Sequence, residues 1–275
     1  LQKKYTGHTY LRSQPILQRL RSIKEPEEIA QIQQACDITE KGFRRILKAT
    51  KPDVWEHELE ADFIHEFIRN RSGGFSYTPI IASGYNANVL HYIENNQQCK
   101  SGDVILMDVG ASYANYASDM TRCVPVSGKF TDRQKDVYNA VLRVKKAAAK
   151  MLVPGTIWAD YHIEVGKLMT QELIGLGLIT DEDVKNENPE WPAYKKYFMH
   201  GTSHHMGLDT HDYGILTEPM QANMVFTVEP GIYIPDENLG IRLEDDYVIQ
   251  ESGEPINLMK NIPLEIEDIE ALMAE

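Results

Sequence analysis

Apolar residues recur at helical spacing in several long stretches of the chain. The first opens at Pro26 with acidic residues and ends with basic ones, the order that a helix dipole favours. Another follows the pair Thr131 and Gln134, whose spacing is that of a capping box. We expect Asp53 to cap one helix and the glycine pair at 73–74 to end it. These patterns predict helices over residues 26–50, 54–71, 136–153, 158–177 and 263–275.

Apolar runs bounded by turn residues separate these helices and predict strands. The runs cover residues 77–84, 88–94, 104–110, 117–126, 198–214, 225–234 and 239–250. Two helices precede strands in each half of the chain. We therefore predict an α+β fold in which one helix–helix–sheet unit is used twice and the sheet forms at the junction of the halves.

Two polar segments interrupt this order. Residues 1–24 are mildly basic and lack sustained periodicity. We interpret them as a linker, with a short strand or turn near its end, that enters a domain formed by residues 25–275. Residues 180–197 are a Pro-containing insertion, which we expect to border the mouth of an active site.

The composition excludes several classes of protein. With 275 residues, a net charge of −13 and a pI near 5.2, the chain has no Lys/Arg-rich block to bind nucleic acid. No apolar run approaches the roughly 18 to 20 residues that span a bilayer, so we expect no membrane partner. Cys36, Cys99 and Cys123 are far apart, which indicates neither a disulfide framework nor a thiolate zinc site. A reducing, cytoplasmic location is therefore expected.

Asp108 is the first residue that suggests chemistry. It lies inside the apolar run VILMDVG, where a bare carboxylate is costly to bury unless a cation or hydrogen bonds compensate it. Asp119 follows eleven positions later in a second run, and the segment 110–116 has the length of a wide hairpin loop. The two aspartates can thus face each other, although a pair of turn or edge aspartates explains the spacing equally well.

The last third of the chain holds further ionisable residues. Glu229 ends an apolar strand-like run, and Arg242, Glu244 and Asp246 share one face of another, unless these acids mark a solvated strand end. Four histidines crowd into the range 200–211, which indicates at least one metal ligand or proton-transfer group. In the first half, His91 is as compatible with a core histidine as with a site residue.

Five of these side chains form a coherent set of donors: Asp108, Asp119, His204, Glu229 and Glu244. Four carboxylates would repel one another if all were ionised without cations nearby. Two divalent metal ions would remove the repulsion, because carboxylates can bridge ions roughly 3.5–4 Å apart and hold a hydroxide between them. The oxygen-rich donors suit Mn, Co or Zn, and ligand type alone does not choose among these metals.

Several motifs, taken in order, resemble one known family. The spacing D-x10-D and the runs HGTSHHMGLDTHD, TVEPGIY and GIRLEDD are similar to those of the "pita-bread" metallopeptidases of family M24. The likeness runs from about Ser22 to the C-terminus and is greatest to the Xaa-Pro aminopeptidase (aminopeptidase P) branch. It implies the pita-bread (creatinase/aminopeptidase) fold, with two pseudo-symmetric helix–helix–sheet halves around a curved, mainly antiparallel sheet.

The resemblance also implies roles for individual residues. Asp108 and Asp119 would bind one metal, Asp119 and Glu244 would bridge, and His204 and Glu229 would complete the second site. The implied catalytic residues are Glu229, which relays a proton, with His91, His211, Arg242 and Tyr233. The implied substrate-binding residues are His91, His200, His211 and Tyr77.

The activity implied by the resemblance is hydrolysis of the N-terminal Xaa-Pro peptide bond through a metal-bridging hydroxide. The cofactors would be two divalent ions, Mn²⁺ foremost, with Co²⁺ or Zn²⁺ as alternatives. The substrates would be peptides with proline in the second position, and the protein would be a homo-oligomer, either a dimer or a tetramer. A prolidase, which needs a dipeptide, is the nearest alternative; a methionine aminopeptidase fits the histidine motif less well.

A non-catalytic binding module with the same fold is the alternative from another class. Such proteins typically lose metal ligands, whereas all five positions are filled here. Three residues depart from the family pattern, namely His205, Met206 and Thr210, and they affect pocket shape more than metal binding. Relatives with this activity also carry a separate N-terminal domain, so we expect residues 1–24 to be the linker from such a domain.

Overall fold

The computed structural model describes residues 2–275 and has the mixed α+β character that the sequence predicts. Its helices are α1 (Gln14–Ser22), α2 (Pro26–Ala49), α3 (Glu56–Arg69), α4 (Asp132–Lys150), α5 (Trp158–Gly175), α6 (Asp181–Lys185) and α7 (Ile266–Met273). The strands of the first half are β1 (Gly74–Phe75), β2 (Ile80–Ser83), β3 (Val104–Asp108), β4 (Ala111–Tyr113), β5 (Tyr116–Ala117) and β6 (Thr121–Pro125). Those of the second half are β7 (Val225–Val228), β8 (Gly231–Ile234), β9 (Leu239–Arg242), β10 (Asp245–Val248) and β11 (Ile256–Asn257).

Each pair of long helices is followed by antiparallel strands, as the sequence predicts. In the first half β3 lies between β2 and β6, and in the second half β10 lies between β7 and β11. The two halves meet where the backbone N–H of Glu244, just before β10, donates to the carbonyl of Thr121 at the start of β6, at 3.0 Å. Apolar residues from both helix pairs and both sets of strands form one continuous core.

One of the two predicted helix caps is present in the structure and the other is not. The Thr131 hydroxyl accepts a hydrogen bond from the Gln134 N–H, and the Gln134 side-chain oxygen accepts one from the Thr131 N–H, so the predicted capping box of α4 is confirmed. The prediction that Asp53 caps α3 is wrong, because Asp53 has φ = 71° and the cap residue is Trp55. The Glu58 carboxylate accepts the Trp55 N–H at 2.8 Å instead.

The end of the 1–24 segment is a helix rather than the predicted strand or turn. Helix α1 carries an apolar stripe that is exposed at Ile16, Leu17 and Leu20. Its C-terminal end is held by charge, since the guanidinium of Arg21 contacts both Asp209 and Asp212. Ion pairs rather than apolar burial therefore hold the end of α1, and the helical spacing of its short apolar stripe was not enough to predict it.

Two of the predicted strands are absent. Residues 88–94 lie in a loop that follows a 3-10 turn at Gly84–Asn88, where the N–H groups of Val89 and Tyr92 donate to the nearby carbonyls of Asn86 and Val89 instead of to a neighbouring strand. Residues 198–214 run beside β7 with bonds such as Glu229 N to Thr202 O (2.8 Å), yet they form only an isolated bridge from His205 to Phe226. This irregular course places the histidine-rich segment next to the strand that leads to Glu229.

The 180–197 insertion contains α6 and a 3-10 turn at Ala193–Lys196. The prediction that it borders the mouth of the main cavity is wrong, since none of its residues lines that cavity. It borders a separate depression of about 250 Å³ together with Leu178 and Ile179. The C-terminal helix was predicted correctly as α7.

Candidate metal centre

Asp108 and Asp119 face each other across one side-chain hydroxyl. Asp108 ends β3 and Asp119 comes two residues before β6, and the Tyr77 hydroxyl lies 2.5 Å from Asp108 Oδ1 and 2.6 Å from Asp119 Oδ1. The segment between the aspartates is a second small hairpin, β4–β5, rather than an open loop. Ala114 and Asn115 at its tip have φ of 49° and 69°, as a tight hairpin turn requires.

His204 lies between two of the carboxylates. Its Nε2 is 3.4 Å from Asp119 Oδ2 and 3.4 Å from Glu229 Oε1. Its Nδ1 bonds to the carbonyl of His205 at 3.0 Å, which orients the ring so that Nε2 is directed at the acids. Asp119, His204 and Glu244 each offer a ligand atom, and these atoms all lie within 4.8 Å of one another. The structure thus brings a histidine and acids from both halves of the chain together.

Burial makes this acidic cluster costly in the absence of a cation. Burial raises the pKa of Glu229 to about 7, and neighbouring Asp119 and Asp108 add to the increase. The pKa of Glu244 is raised well above its usual range by burial and by the nearby acids, and burial also raises the pKa of Asp108. Carboxylates arranged in this way cannot all ionise unless positive charge is supplied. The donor set fits divalent metal ions.

His204 responds to the same acids in the opposite direction. Burial alone lowers its pKa, but the hydrogen bond to Asp119 and the charge of Glu229 outweigh burial and raise the pKa to about 9. One bound proton therefore supplies part of the positive charge that the acids require. A metal ion at this place would take over that role from the proton.

Arg242, Tyr233 and His200 form a connected chain beside the acids. Arg242 donates to Asp108 Oδ2 at 2.7 Å and to the Tyr233 hydroxyl at 2.9 Å. His200 Nε2 lies 2.8 Å from the same hydroxyl, and its Nδ1 bonds to the Gly201 carbonyl. Burial and Arg242 lower the pKa of His200 to about 3, so its ring is neutral and Nε2 can accept the Tyr233 proton. These hydrogen bonds connect the Arg242 guanidinium, the Tyr233 hydroxyl and the His200 imidazole in series.

The remaining predicted site residues line one cavity of about 500 Å³ with the acids. His211 packs edge-to-face on His204, with ring centroids 4.3 Å apart, and burial lowers its pKa. His91 also lines the cavity, together with Leu90 and Ile93. Tyr77 also lines the cavity, but its hydroxyl bonds to two predicted metal ligands rather than being free for substrate.

Sequence reasoning misplaced Asp246 and missed Thr121. Arg242 and Glu244 both line the cavity, whereas Asp246 lies behind it and accepts the backbone N–H of Asp119 at 3.0 Å. The shared face is broken because residues 243–244 separate β9 from β10. The alternative of a solvated strand end is excluded, since all three acids at 244–246 are buried.

Thr121 supports two of the predicted site residues. Its hydroxyl donates to Glu244 Oε2 at 2.6 Å and accepts from Arg242 Nε at 3.1 Å. A signal for it existed in the sequence, because it follows Asp119 by two positions and so lies on the same face of the strand.

Residues 30–251, most of the chain, match metallopeptidase family M24. The chain belongs to this family. It is 41% identical over 272 residues to a Xaa-Pro aminopeptidase of Haemophilus influenzae, which covers 94% of the chain and 62% of the relative. It resembles the structure of Escherichia coli aminopeptidase P with the inhibitor Pro-Leu, with a TM-score of 0.90, 37% identity and coverage of 96% of the chain and 62% of the other.

A zinc-substituted form of the Escherichia coli enzyme in complex with product gives the same TM-score of 0.90 at 36% identity, with 96% and 62% coverage. These similarities confirm the predicted pita-bread fold of this M24 chain. The chain spans about three fifths of the length of the relatives it matches. Among residues 2–275, the helices include none that is both long and apolar enough to cross a membrane.

Proposed function

We propose that this M24 chain is the catalytic part of a dinuclear-metal aminopeptidase that hydrolyses the N-terminal Xaa-Pro bond of peptides. The observation that carries the proposal is the convergence of His204 with acids from both halves of the chain at one cavity. The similarity to Xaa-Pro aminopeptidases over almost the whole chain supports the choice of substrate. Residues 25–275 would form the catalytic domain, and residues 1–24 would lead into it.

The metal ions would be held by Asp108, Asp119, His204, Glu229 and Glu244, with Asp119 and Glu244 shared between them. A bound divalent metal lowers the pKa of water toward roughly 7 and so supplies a nucleophile at neutral pH. Mn²⁺ is the proposed physiological ion, with Co²⁺ and Zn²⁺ as alternatives. The zinc-substituted structure of Escherichia coli aminopeptidase P supports Zn²⁺ as an ion that such a site can bind.

The protein's own side chains would position the substrate and move its protons. Hydrolysis breaks the amide C–N bond, adds hydroxide to the carbonyl carbon and returns a proton to the proline nitrogen. Glu229 would carry that proton, because its carboxylate lines the cavity beside the other proposed ligands, within reach of a substrate bound there. His91 and His211 would donate hydrogen bonds to the carbonyl oxygen as negative charge develops on it.

Arg242 and Tyr233 would orient the ligands and the peptide. Arg242 holds Asp108 and the Tyr233 hydroxyl at once, so it fixes a ligand and a potential donor relative to each other. Neutral His200 would contact the substrate through the same hydroxyl. Tyr77 would set the spacing of Asp108 and Asp119 as well as lining the substrate pocket.

A peptide series measured with controlled metal content tests the proposal. The protein is freed of metal with a chelator, then supplied with Mn²⁺, Co²⁺ or Zn²⁺, and tested on Xaa-Pro dipeptides, Xaa-Pro tripeptides and matched Xaa-Ala tripeptides. We expect cleavage of the Xaa-Pro tripeptide only with metal, and little cleavage of the Xaa-Ala peptide. Cleavage that is unaffected by chelation would contradict the proposal, and cleavage confined to dipeptides would indicate a prolidase.

Variants of single ligands separate an enzyme from a binding module. Asp108→Asn and Glu229→Gln should reduce the rate by several orders of magnitude, whereas Glu164→Gln, an exposed change on α5, should not. A wild-type protein that binds no metal and cleaves no peptide would favour the non-catalytic module. A homo-oligomeric state, dimer or tetramer, and a cytoplasmic location belong to the same proposal; sedimentation analysis would test the former.

A further inference from the structure

Glu56 has a fully buried carboxylate that the proposed chemistry does not use. It is the first residue of α3, and the salt bridges found among residues 2–275 include none to it. Its charge is instead met by neutral donors. These are Ser83 N (2.8 Å), Ser83 Oγ (2.7 Å), Asn86 Nδ2 (3.4 Å), Tyr92 OH (2.7 Å) and Gln97 N (2.9 Å). Several hydrogen bonds thus compensate the burial of this carboxylate.

All of these donors belong to one stretch of chain, residues 83–97, which begins at the last residue of β2 and forms most of the connection to β3. Beyond the 3-10 turn at its start, the segment has little regular structure of its own. A second anchor is the Asn95 side chain, which accepts from Ile81 N at 2.9 Å and donates to Glu60 Oε2 at 2.9 Å. The shape of the loop is therefore set mainly by side chains of α3, because strand neighbours are missing.

This loop also builds part of the cavity wall. Leu90, His91 and Ile93 line the cavity, while Tyr92 between them is buried and bonds to Glu56. The Tyr92 N–H donates to the Val89 carbonyl at 3.2 Å, so residues 89–92 form a turn that carries Leu90 and His91 directly beside Tyr92. Fixing the Tyr92 hydroxyl against Glu56 therefore fixes the direction in which His91 and Ile93 project into the cavity.

We propose that Glu56 is a positioning residue that holds residues 83–97 so that Leu90, His91 and Ile93 form the substrate-contacting wall of the cavity. The part of this proposal that concerns substrate rests on the proposed function. Glu56 itself acts from behind the wall. Its removal should loosen the loop and change substrate handling while the metal ligands keep their places.

Hydrogen exchange of the metal-loaded protein tests the structural part without any substrate. In Glu56→Gln one acceptor oxygen becomes a donor that faces other donors, so backbone amides of residues 84–97 should exchange about tenfold faster or more, the order expected when one hydrogen bond to a charged group is lost. Glu58→Gln is the matched control, because Glu58 is on the same turn and bonds only the cap at Trp55. Unchanged exchange of residues 84–97 in Glu56→Gln would overturn the proposal.

Tyr92→Phe provides a milder variant if Glu56→Gln does not fold. It removes a single hydroxyl from the Glu56 cluster and leaves the ring in the core. The same loop should again exchange faster, by a smaller factor, and the affinity for Mn²⁺ should stay at the wild-type value. Loop exchange equal to wild type in this variant would also count against the proposal.

Activity toward a Xaa-Pro tripeptide tests the link to substrate. Tyr92→Phe should lower kcat/KM by about tenfold, and it should have no further effect when His91 is already replaced by alanine. Independent losses that multiply in the double variant would mean that Glu56 supports only general stability, which overturns the positioning role. If wild-type protein cleaves no Xaa-Pro peptide, the proposed function fails, and the exchange result alone decides whether Glu56 orders the loop.

Discussion

Gly110 allows a close backbone contact that helps to set the distance between Asp108 and Asp119, because glycine has no side chain. A Cβ atom built there would lie 1.8 Å from the Ser118 carbonyl oxygen and 2.6 Å from its carbon. These are backbone atoms, so no side chain can rotate away to make room. The approach of Gly110 to Ser118 closes the β4–β5 hairpin between Asp108 and Asp119.

Gly110→Ala should therefore damage both stability and metal binding. We expect the free energy of unfolding to fall by about 1–3 kcal/mol, the usual cost of overpacking, and the affinity for Mn²⁺ to fall because the two aspartates are forced apart. Denaturant titration and calorimetry measure the two effects. Gly73→Ala is the matched control, since its nearest neighbour would be 3.6 Å away. Equal behaviour of the two variants would contradict this interpretation.

The contribution of the Thr121 hydroxyl to metal binding can be measured with a substitution that hardly changes the shape of the side chain. Thr121→Val removes the hydroxyl that donates to Glu244 and accepts from Arg242. Loss of such a supporting contact typically reduces metal affinity by about 10–100-fold, and we expect a loss in that range for Mn²⁺. Thr170→Val on α5, whose hydroxyl bonds only to the Gly166 carbonyl, should leave the affinity unchanged. Wild-type affinity in Thr121→Val would exclude the supporting role.

At the scale of elements, α1 is attached to the histidine-rich segment through buried charge. Lys24 Nζ lies 3.3 Å from Asp212 Oδ2, and both side chains are 1% exposed. Arg21 contacts the other oxygen of Asp212 at 2.5 Å. Asp212 adjoins His211, so the junction of α1 and α2 helps to hold a residue of the cavity wall.

The variants Asp212→Asn, Lys24→Met and Arg19→Met should form a graded series. Lys24→Met leaves Asp212 buried with only Arg21 as a cationic partner, so we expect it to cost about 3 kcal/mol. Asp212→Asn leaves both Lys24 and Arg21 without their partner and should cost more. Arg19→Met removes an exposed pair between α1 and Glu218 and should cost at most about 1 kcal/mol. Denaturant unfolding measures the series. Equal costs for Lys24→Met and Arg19→Met would show that burial of the pair does not matter.

The elements that the sequence revealed are those in which periodicity and burial coincide. Helices α2 and α4 bury one face along their whole length, so apolar spacing locates them. Helix α1 leaves its apolar stripe exposed, and the loop at 88–94 is ordered by Glu56 from a distant part of the chain. An exposed apolar stripe in so short a segment does not distinguish a helix from a linker, and the residues that hold α1 and this loop are distant in the sequence. The positions of Asp108 and Glu229 were predictable because a carboxylate inside an apolar run stands out. Thr121 is marked only by its spacing of two from Asp119, and nothing in the sequence around Glu56 marks it.

At the scale of the whole molecule, a buried ion cluster joins the two halves. Arg122 in β6 contacts Asp245 Oδ1 in β10 at 2.5 Å and donates to the Glu244 carbonyl at 2.6 Å. Lys145 of α4 contacts the other oxygen of Asp245. The attraction of Arg122 and Lys145 outweighs burial and lowers the pKa of Asp245. The cluster lies directly behind the acids of the candidate metal centre.

Arg122→Met should consequently weaken the joint between the halves. We expect a loss of about 3–5 kcal/mol in the free energy of unfolding, because Asp245 stays buried with half of its positive partners removed. Arg143→Met, which removes an exposed pair between α4 and Glu172, is the control and should cost at most about 1 kcal/mol. Thermal or denaturant unfolding monitored by circular dichroism measures both. A loss no larger than that of the control would show that the cluster does not hold the halves together.

Metal binding should stabilise the whole molecule, because its proposed ligands come from both halves. At a free metal concentration about 100 times Kd, binding to the folded state alone adds about 2.7 kcal/mol, so Mn²⁺ should raise the Tm of the metal-free protein. Glu244→Gln separates this effect from simple packing. Glu244 is buried, and burial is the main reason that its pKa is raised. The charges of Asp119, Glu229 and Asp108 raise the pKa further. Replacing this acid with a neutral amide should leave the metal-free protein as stable as wild type or more so, while the increase in Tm with Mn²⁺ is lost. An undiminished increase in the variant would mean that Glu244 is not a ligand, and the shared site at the junction of the halves would have to be abandoned.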